Sequence, residues 1–431
     1  MKNGEIRVVT AAVDNRRRRI VYLVPLFLAA VALGFLLELS TYETLNFAEI
    51  RLAIVRLPHR LNQIKNWQSD SETVTNDVSK GALDPGETLE EQAPEETIVF
   101  DYERDRPPEF WEFPALLNLN FTWIKNNESI CVRNPDDPAD LRIMPVLVHT
   151  ARSHFQERLA LRWSWGSIPV YKKWDIRFVF LLGEADRGSN PEVNQKQFEE
   201  QEKQLDAEQD EYGDLVMGSF IDSYKNLTYK HLMGYKWVLN FCQNAEFVFK
   251  IDDDMFIDII RFLDWRSDDL DKLAENKSAV IPECYCHTFG GTKPIREKGS
   301  KWYASEEDWP DEWYPDYCSG WAYEITVDLI KKIYSVSNHI KFFWVDDVFV
   351  TGALLEVAKK VYEYKPEIRH IWGEVTGDIK DYRPICEMGK FELERKFKAV
   401  VYVPRGEFFE RDMMCMWNKT LIDKNITFTR R

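Results

Sequence analysis

The chain is 431 residues long, 45% hydrophobic and rich in tryptophan, with 15, which is enough for one large or two ordinary domains with a substantial core and excludes a wholly disordered chain. Its formal net charge of −16 excludes non-specific nucleic-acid binding, which needs a basic footprint, so no nucleic-acid partner is expected. An anionic substrate would need local help from a cation.

Residues 1–19 read as a cytoplasmic tail ending in Arg16, Arg17, Arg18 and Arg19. Residues 20–37 follow as an uncharged run of 18, near the lower limit for a membrane-spanning helix. A basic flank belongs in the cytoplasm, so the rest of the chain is expected on the luminal side of a single-pass membrane anchor. A cleaved signal peptide is the competing reading. The length of the run and the lack of a clear small-x-small site favour the anchor.

Residues 38–109 read as a stem. From Ser69 to Arg106 they are dominated by Asp, Glu, Pro, Gly and Thr, a composition that buries too little surface to order itself. Six N-x-S/T sequons, at Asn120, Asn127, Asn226, Asn276, Asn418 and Asn425, lie beyond the anchor. So do all seven cysteines, where disulfides can form, and their odd count leaves a free thiol or an intermolecular bond. Cys284, Cys286 and His287 lack a second ligand pair at zinc-finger spacing.

The folded body is expected over residues 110–431. Val146 to His149 reads as a buried strand, His154 to Trp165 as a helix, and Arg177 to Leu182 as a second strand. Glu192 to Glu211 reads as a solvated acidic helix, Asp214 to Phe220 as a third strand, Leu227 to Cys242 as an amphipathic helix, and Glu246 to Ile251 as a fourth strand. Alternating strands and helices imply an α/β fold with a mostly parallel sheet covered on both faces. Ala279 to Glu283 reads as a further strand, and His287 to Asp316 as an irregular segment of substrate-loop type. Its aromatics, Trp302 and Tyr303 among them, suit a sugar platform or core packing. Helices are expected again at Thr326 to Tyr334 and Val348 to Lys360.

Two acidic motifs carry the chemistry. The fourth strand runs into Asp252, Asp253 and Asp254, and in open α/β sheets ligands bind where strands end. Asp252 and Asp254 suit a hard divalent ion, whereas Asp253 points elsewhere in an extended chain. The second motif, Asp346 and Asp347, is wedged between Val345 and Val348 at a helix start, where capping explains one acid and burial makes the second costly unless used or paired.

In order along the chain stand Arg158-Leu-Ala-Leu-Arg162-Trp-Ser-Trp165-Gly166, Phe180-Leu-Leu-Gly183-Glu, Tyr212-Gly-Asp214 and Phe220-Ile-Asp222-Ser-Tyr224-Lys-Asn226-Leu-Thr228-Tyr-Lys230. The Lys250 to Phe256 motif follows, then Lys293-Pro-Ile-Arg296 with Ser300 to Tyr303, Tyr314-Pro315-Asp316-Tyr317-Cys318-Ser319-Gly320, and Asp346-Asp347-Val348. Over roughly Met144 to Ala358 the chain resembles the inverting β1,3-glycosyltransferases that include β1,3-galactosyltransferases, β1,3-N-acetylglucosaminyltransferases and, more distantly, Fringe enzymes (family 31). It departs from the pattern at Asp346, where Glu is commoner, and at Trp321-Ala322, where the continuation is usually small and Gly-rich.

The resemblance implies a GT-A fold with a Rossmann-like nucleotide-sugar-binding sheet, a type II Golgi membrane protein, a UDP-sugar donor and a glycan acceptor on glycoprotein or glycolipid. Galactose is the first choice of sugar and N-acetylglucosamine the alternative. It implies Mn²⁺, with Mg²⁺ possible, held by Asp252 and Asp254, and Asp347 as the catalytic base with Asp346 as the fallback. Asp253, Arg158, Arg162 and Lys230 are the candidates for donor binding, each arginine and the lysine having surface pairing as its alternative. Trp302, Tyr303, Tyr317, Ser319 and Gly320 are placed in the substrate pocket. Two rival readings remain: a metal-dependent phosphohydrolase, disfavoured because none of the few histidines is near either acidic motif, and a catalytically inactive, anchored glycan-binding protein of the same fold.

Overall fold

The computed structural model describes residues 117–188, 195–275, 283–370, 376–378, 400–424 and 426. The tail, anchor and stem expected over residues 1–109 lie outside these, as do Asn276 and Asn425. Among the described residues no helix is long and apolar enough to cross a membrane.

The body is built on strands β1 (Trp123–Lys125), β2 (Arg142–His149), β3 (Val170–Tyr171), β4 (Trp174–Glu184), β5 (Leu215–Ile221), β6 (Phe247–Asp252), β7 (Met255–Ile257), β8 (Cys284–Phe289), β9 (Tyr317–Thr326), β10 (Ile368–His370), β11 (Thr376–Asp378) and β12 (Val400–Tyr402). Its helices are α1 (Phe155–Trp163), α2 (Gln195–Tyr212), α3 (Leu227–Phe241), α4 (Ile259–Glu275), α5 (Val327–Ser335), α6 (Leu354–Val361) and α7 (Phe409–Asp423). A turn of π-helix, Val348–Ala353, leads into α6.

The main sheet has the order β1-β5-β4-β2-β6-β9-β8-β10, with β3 pairing β4 at one side. β5, β4, β2 and β6 are mutually parallel. Val146, Leu147 and Val148 are consecutive and all at 0% exposure, so both faces of β2 are covered, which is why these strands read as continuous apolar runs. Helix α3 packs close on them: a Cβ on Gly234 would lie 2.5 Å from Leu181 Cδ1.

The expectation of a mostly parallel sheet holds for that half alone. β9 runs antiparallel to β6, and β8 antiparallel to β9. β9 escaped the sequence reading because Cys318-Ser-Gly-Trp321 breaks the apolar pattern. Of the strand expected at Ala279 to Glu283, residues 279–282 lie outside the described residues, and β8 runs from Cys284, where Cys284 to Cys286 are buried. A second sheet, β11-β12-β7, returns the C-terminal part of the chain to the residues just after the acidic triplet.

Helix α2 is not wholly solvated. Glu208 is buried and receives Arg158 Nε at 2.7 Å and Arg158 Nη2 at 2.6 Å, with Arg162 Nη2 also at 2.7 Å. Arg162 further pairs with Asp214 through two bonds of 2.9 and 2.7 Å. The two arginines, four apart on one face of α1, therefore tie α1 to α2 and to the approach of β5.

Cys131 is bonded to Cys242 and Cys286 to Cys318, while Cys284 is a buried free thiol with its sulfur 3.6 Å from Cys318 Sγ. Cys415 is also disulfide-bonded. Asn120 and Asn418 are exposed, whereas Asn127 and Asn226 each donate their side-chain amide to a backbone carbonyl.

Removing one partner of a fully buried ion pair leaves an uncompensated charge. Glu208→Gln is expected to lower folding stability by about 3 to 5 kcal/mol in urea denaturation. A loss below about 1 kcal/mol would show that the pair is solvated.

Candidate active site

The site forms where β6 ends. Lys250 and Asp252 alternate onto the same side of the strand, and the Lys250 ammonium donates to Asp252 Oδ1 at 2.7 Å and to the Gly320 carbonyl on neighbouring β9. Burial works against the charge on Lys250, but Asp252 and Asp346 outweigh it and raise its proton affinity. A Cβ on Gly320 would lie 3.5 Å from Asp347 Oδ2 and 3.6 Å from Lys250 Nζ. Gly320 on β9 is thus in ordinary contact range of both Asp347 and Lys250.

The three acids of the triplet have different surroundings. Asp253 is fully buried and accepts from Thr150 Oγ1 at 2.6 Å, His154 Nδ1 at 2.7 Å and Arg405 Nη2 at 2.5 Å. Burial alone would raise its proton affinity, yet His154 and Arg405 hold it at about 2. Asp254 faces Arg405 Nη1 at 3.0 Å, but burial and the charge of Asp252 push it up to about 7. Burial raises Asp252 as well, against the pull of Lys250.

Asp346 and Asp347 are held by the same elements. Thr228 Oγ1 on α3 donates to the Phe343 carbonyl at 2.7 Å, which fixes the approach. Thr351 Oγ1 donates to the Asp347 carbonyl at 2.7 Å and accepts from Cys318 N at 3.0 Å, which fixes the helix start against β9. Asp347 Oδ1 caps Val348 N at 2.9 Å. Burial and neighbouring Asp346 push Asp347 up to about 7. Burial would raise Asp346 too, but a hydrogen bond from His231 Nδ1 at 2.9 Å and the Lys250 charge hold it below the ordinary carboxylate value.

Asp252, Asp346 and Asp347 therefore share the field of one ammonium, and Asp254 joins them through the charge of Asp252. Tyr317 and Tyr224 border the acids: burial and the charge of Asp347 raise the Tyr317 phenol, and Tyr224 responds to Asp346, Asp347 and Asp252 after burial. Lys301 Nζ lies 5.6 Å from the Tyr224 ring centroid and 4.5 Å from that of Trp302, which is half exposed. Ser319 is buried beside Gly320. Tyr303 is partly buried, its backbone nitrogen bonded to the Ser300 carbonyl at 3.1 Å.

Four expected donor contacts are occupied inside the fold. Arg158 and Arg162 are held by Glu208 and Asp214. Lys230 is buried between Asp222, at 2.7 Å, and the Thr150 carbonyl. Asp253 faces inward to its three donors. Each forms part of the frame because a buried charge needs a partner at hand.

The histidines correct the sequence reading more sharply. His154 bonds Asp253, His231 bonds Asp346, and His149 Nδ1 lies 3.7 Å from Asp346. Sequence separations of about one hundred to two hundred residues hid all three, and the same is true of Arg405. Lys250 stood inside a quoted motif, and its spacing of two from Asp252 on a strand was the available signal.

Residues 156–365 match the family model described as Galactosyltransferase. The chain is 32% identical over 231 residues to beta-1,3-galactosyltransferase 1 of Homo sapiens, which covers 54% of this chain and 64% of that relative. It is 30% identical over 237 residues to beta-1,3-galactosyltransferase 5 of Homo sapiens, covering 55% of this chain and 70% of the relative. The chain belongs to the β1,3-galactosyltransferase family. Among solved structures, a galactosyltransferase LgtC in complex with donor and acceptor sugar analogues aligns at 10% identity with a TM-score of 0.27, covering 67% of this chain and 98% of that one. The bifunctional glycosyltransferase WbbM aligns at 12% identity with a TM-score of 0.31, covering 67% and 53%. The region of this galactosyltransferase-family chain that matches the family model, 156 to 365, includes both acidic motifs and stops short of Arg405.

The different surroundings of the triplet acids give an expected contrast. Asp253→Asn leaves His154 and Arg405 facing a neutral group and should lower stability by about 3 kcal/mol, read as a fall in melting temperature. Asp254→Asn removes repulsion with Asp252 and should leave stability unchanged or raise it. Equal losses in the two variants would refute the division.

Proposed function

We propose that this chain transfers a hexose, galactose as the first choice, from a UDP-sugar to a hydroxyl of a sugar acceptor with inversion at the anomeric carbon. The observation that carries the reading is the convergence of Asp252, Asp254, Asp346 and Asp347 at the carboxyl end of β6, in a member of this family, with Asp347 poised at about 7. A GT-A type fold, a type II Golgi membrane setting and a glycoprotein or glycolipid acceptor belong to the same proposal. N-acetylglucosamine remains the alternative sugar, since the two differ at substituents that a few pocket atoms discriminate.

The pair Asp252 and Asp254 suits a divalent cation. Both carboxylates have proton affinities raised by burial, and Asp254 additionally by its neighbour's charge, so a bound cation would relieve the repulsion. Mn²⁺, or Mg²⁺, would there supply charge to stabilise the departing diphosphate. The protein's own steps are otherwise direct. Asp347 takes the proton of the acceptor hydroxyl as that oxygen bonds to the anomeric carbon, and the electron pair of the old glycosidic bond leaves on UDP. A base with a proton affinity near the working pH is well matched to that task. Lys250 favours the ionised forms of Asp252 and Asp346, and Trp302 with Tyr224 offers ring faces to a sugar.

Full-length protein in detergent, supplied with UDP-galactose, UDP-N-acetylglucosamine and UDP-N-acetylgalactosamine and a panel of sugar acceptors, should release UDP with one donor and only with Mn²⁺ or Mg²⁺. If no donor were turned over and none bound with Mn²⁺, the transferase reading would fail in favour of an anchored glycan-binding protein, whereas donor binding without transfer would point to an acceptor missing from the panel. Asp347→Asn should lower kcat by about 10² to 10⁴ with little change in donor KM. A raised carboxylate is protonated below its pKa and must be ionised to act as a base. Wild-type kcat should therefore fall as pH drops through about 7. A flat profile from pH 5.5 to 8 would remove Asp347 from this role.

A further inference from the structure

His231 lies on α3 with no exposure, immediately after the Phe220 to Lys230 motif and outside it. Its Nδ1 is 2.9 Å from Asp346 Oδ2, and its Nε2 is hydrogen-bonded to the Tyr323 hydroxyl, which lies 2.7 Å from the Tyr235 hydroxyl. The groups facing the ring are His149 from β2, Lys250 from β6, Tyr323 from β9, Tyr235 from its own helix, and Asp346. His149 meets it edge to face at 4.9 Å between ring centroids, and His149 Nδ1 is 3.7 Å from the same carboxylate oxygen, too long for a hydrogen bond.

The proton positions along this chain follow from chemistry. An ionised carboxylate only accepts, so His231 Nδ1 carries the hydrogen. Burial lowers the imidazole's proton affinity below its ordinary value, so the ring is neutral and Nε2 accepts from Tyr323. Having donated its one hydrogen, the Tyr323 oxygen accepts from Tyr235. All donors then point one way, from Tyr235 through Tyr323 and His231 to Asp346. Among the described residues, His231 is the only side chain that donates a hydrogen bond to that carboxylate.

We propose that His231 is a positioning residue, which fixes the direction of the Asp346 carboxylate so that Asp347, the next residue, presents its own to the acceptor hydroxyl. This rests on the reading of Asp347 as the base. His231 completes a role that the acidic motif alone cannot fill: Asp346 keeps a local backbone hydrogen bond and the Lys250 charge without it, but loses the side-chain donor that fixes its direction from α3.

The test uses two substitutions in the full chain. His231→Asn places an amide N–H near the Nδ1 position and keeps the bond to Asp346, whereas His231→Gln extends toward the Nε2 position and Tyr323 and leaves Asp346 without its donor. With the sugar donor that the wild type uses, kcat should fall about tenfold to hundredfold in His231→Gln and stay within about threefold of wild type in His231→Asn, with donor KM unchanged in both. Both variants lose the buried ring, so a purely structural role predicts parallel falls in melting temperature and in kcat. Equal losses in the two variants, a loss confined to KM, or wild-type kcat in His231→Gln would each overturn the proposal. A second measurement needs no turnover: ¹⁵N NMR of the imidazoles, assigned with His231→Gln, should find the His231 proton on Nδ1, and a proton on Nε2 would overturn it. If wild-type protein transfers no sugar, the proposed function fails, and the tautomer still decides whether His231 holds Asp346.

Discussion

A single buried ammonium organises this half of the molecule. Lys250 stands on a central strand with almost no exposure, a position that disfavours a charge unless partners replace the lost water. The partners are Asp252, the Gly320 carbonyl and the nearby charge of Asp346. The requirement runs in both directions, since those carboxylates are themselves largely desolvated and repel one another. The Gly320 carbonyl reaches the ammonium from β9, the strand paired antiparallel to β6. The pairing of β6 with β9 and the charge state of the site thus meet at one side chain.

Around that ammonium the protein separates carboxylates of identical chemistry by environment. Asp253, with three donors, is held at about 2, whereas adjacent Asp254, with one ion pair and a like-charged neighbour, is pushed up to about 7. The same contrast recurs between Asp346 and Asp347. Environments that push neighbouring acids apart are how one fold supplies both an anchor and a proton acceptor at neutral pH.

The parallel half of the sheet was legible because Val146 to Val148 and Phe178 to Leu182 are apolar without interruption, the mark of strands covered on both faces. Both acidic motifs were legible because acids rarely sit between apolar runs without cause. Their partners were not. His149, His154, His231 and Arg405 join the acids only through the packing of β2, α3 and the β7–β12 pairing, and no local pattern marks such long-range neighbours. Arg158 and Arg162 show the converse: their helical spacing was visible, but what they face depends on Glu208, which the acid-rich composition of α2 disguised as solvated surface.

The Cys131–Cys242 disulfide spans 111 residues and closes a loop that contains β2, α1, β3, β4, α2, β5 and the whole of α3, ending just before β6. In the loop-entropy account, tying off about a hundred residues removes roughly 4.7 kcal/mol of freedom from the unfolded chain, a contribution comparable to the whole net stability of many domains. The strand that delivers the acids therefore emerges from the knot of a covalently closed ring. Oxidation of one cysteine pair and assembly of the frame behind the site are coupled events, so the redox state of the compartment in which the chain folds governs how much functional protein it yields.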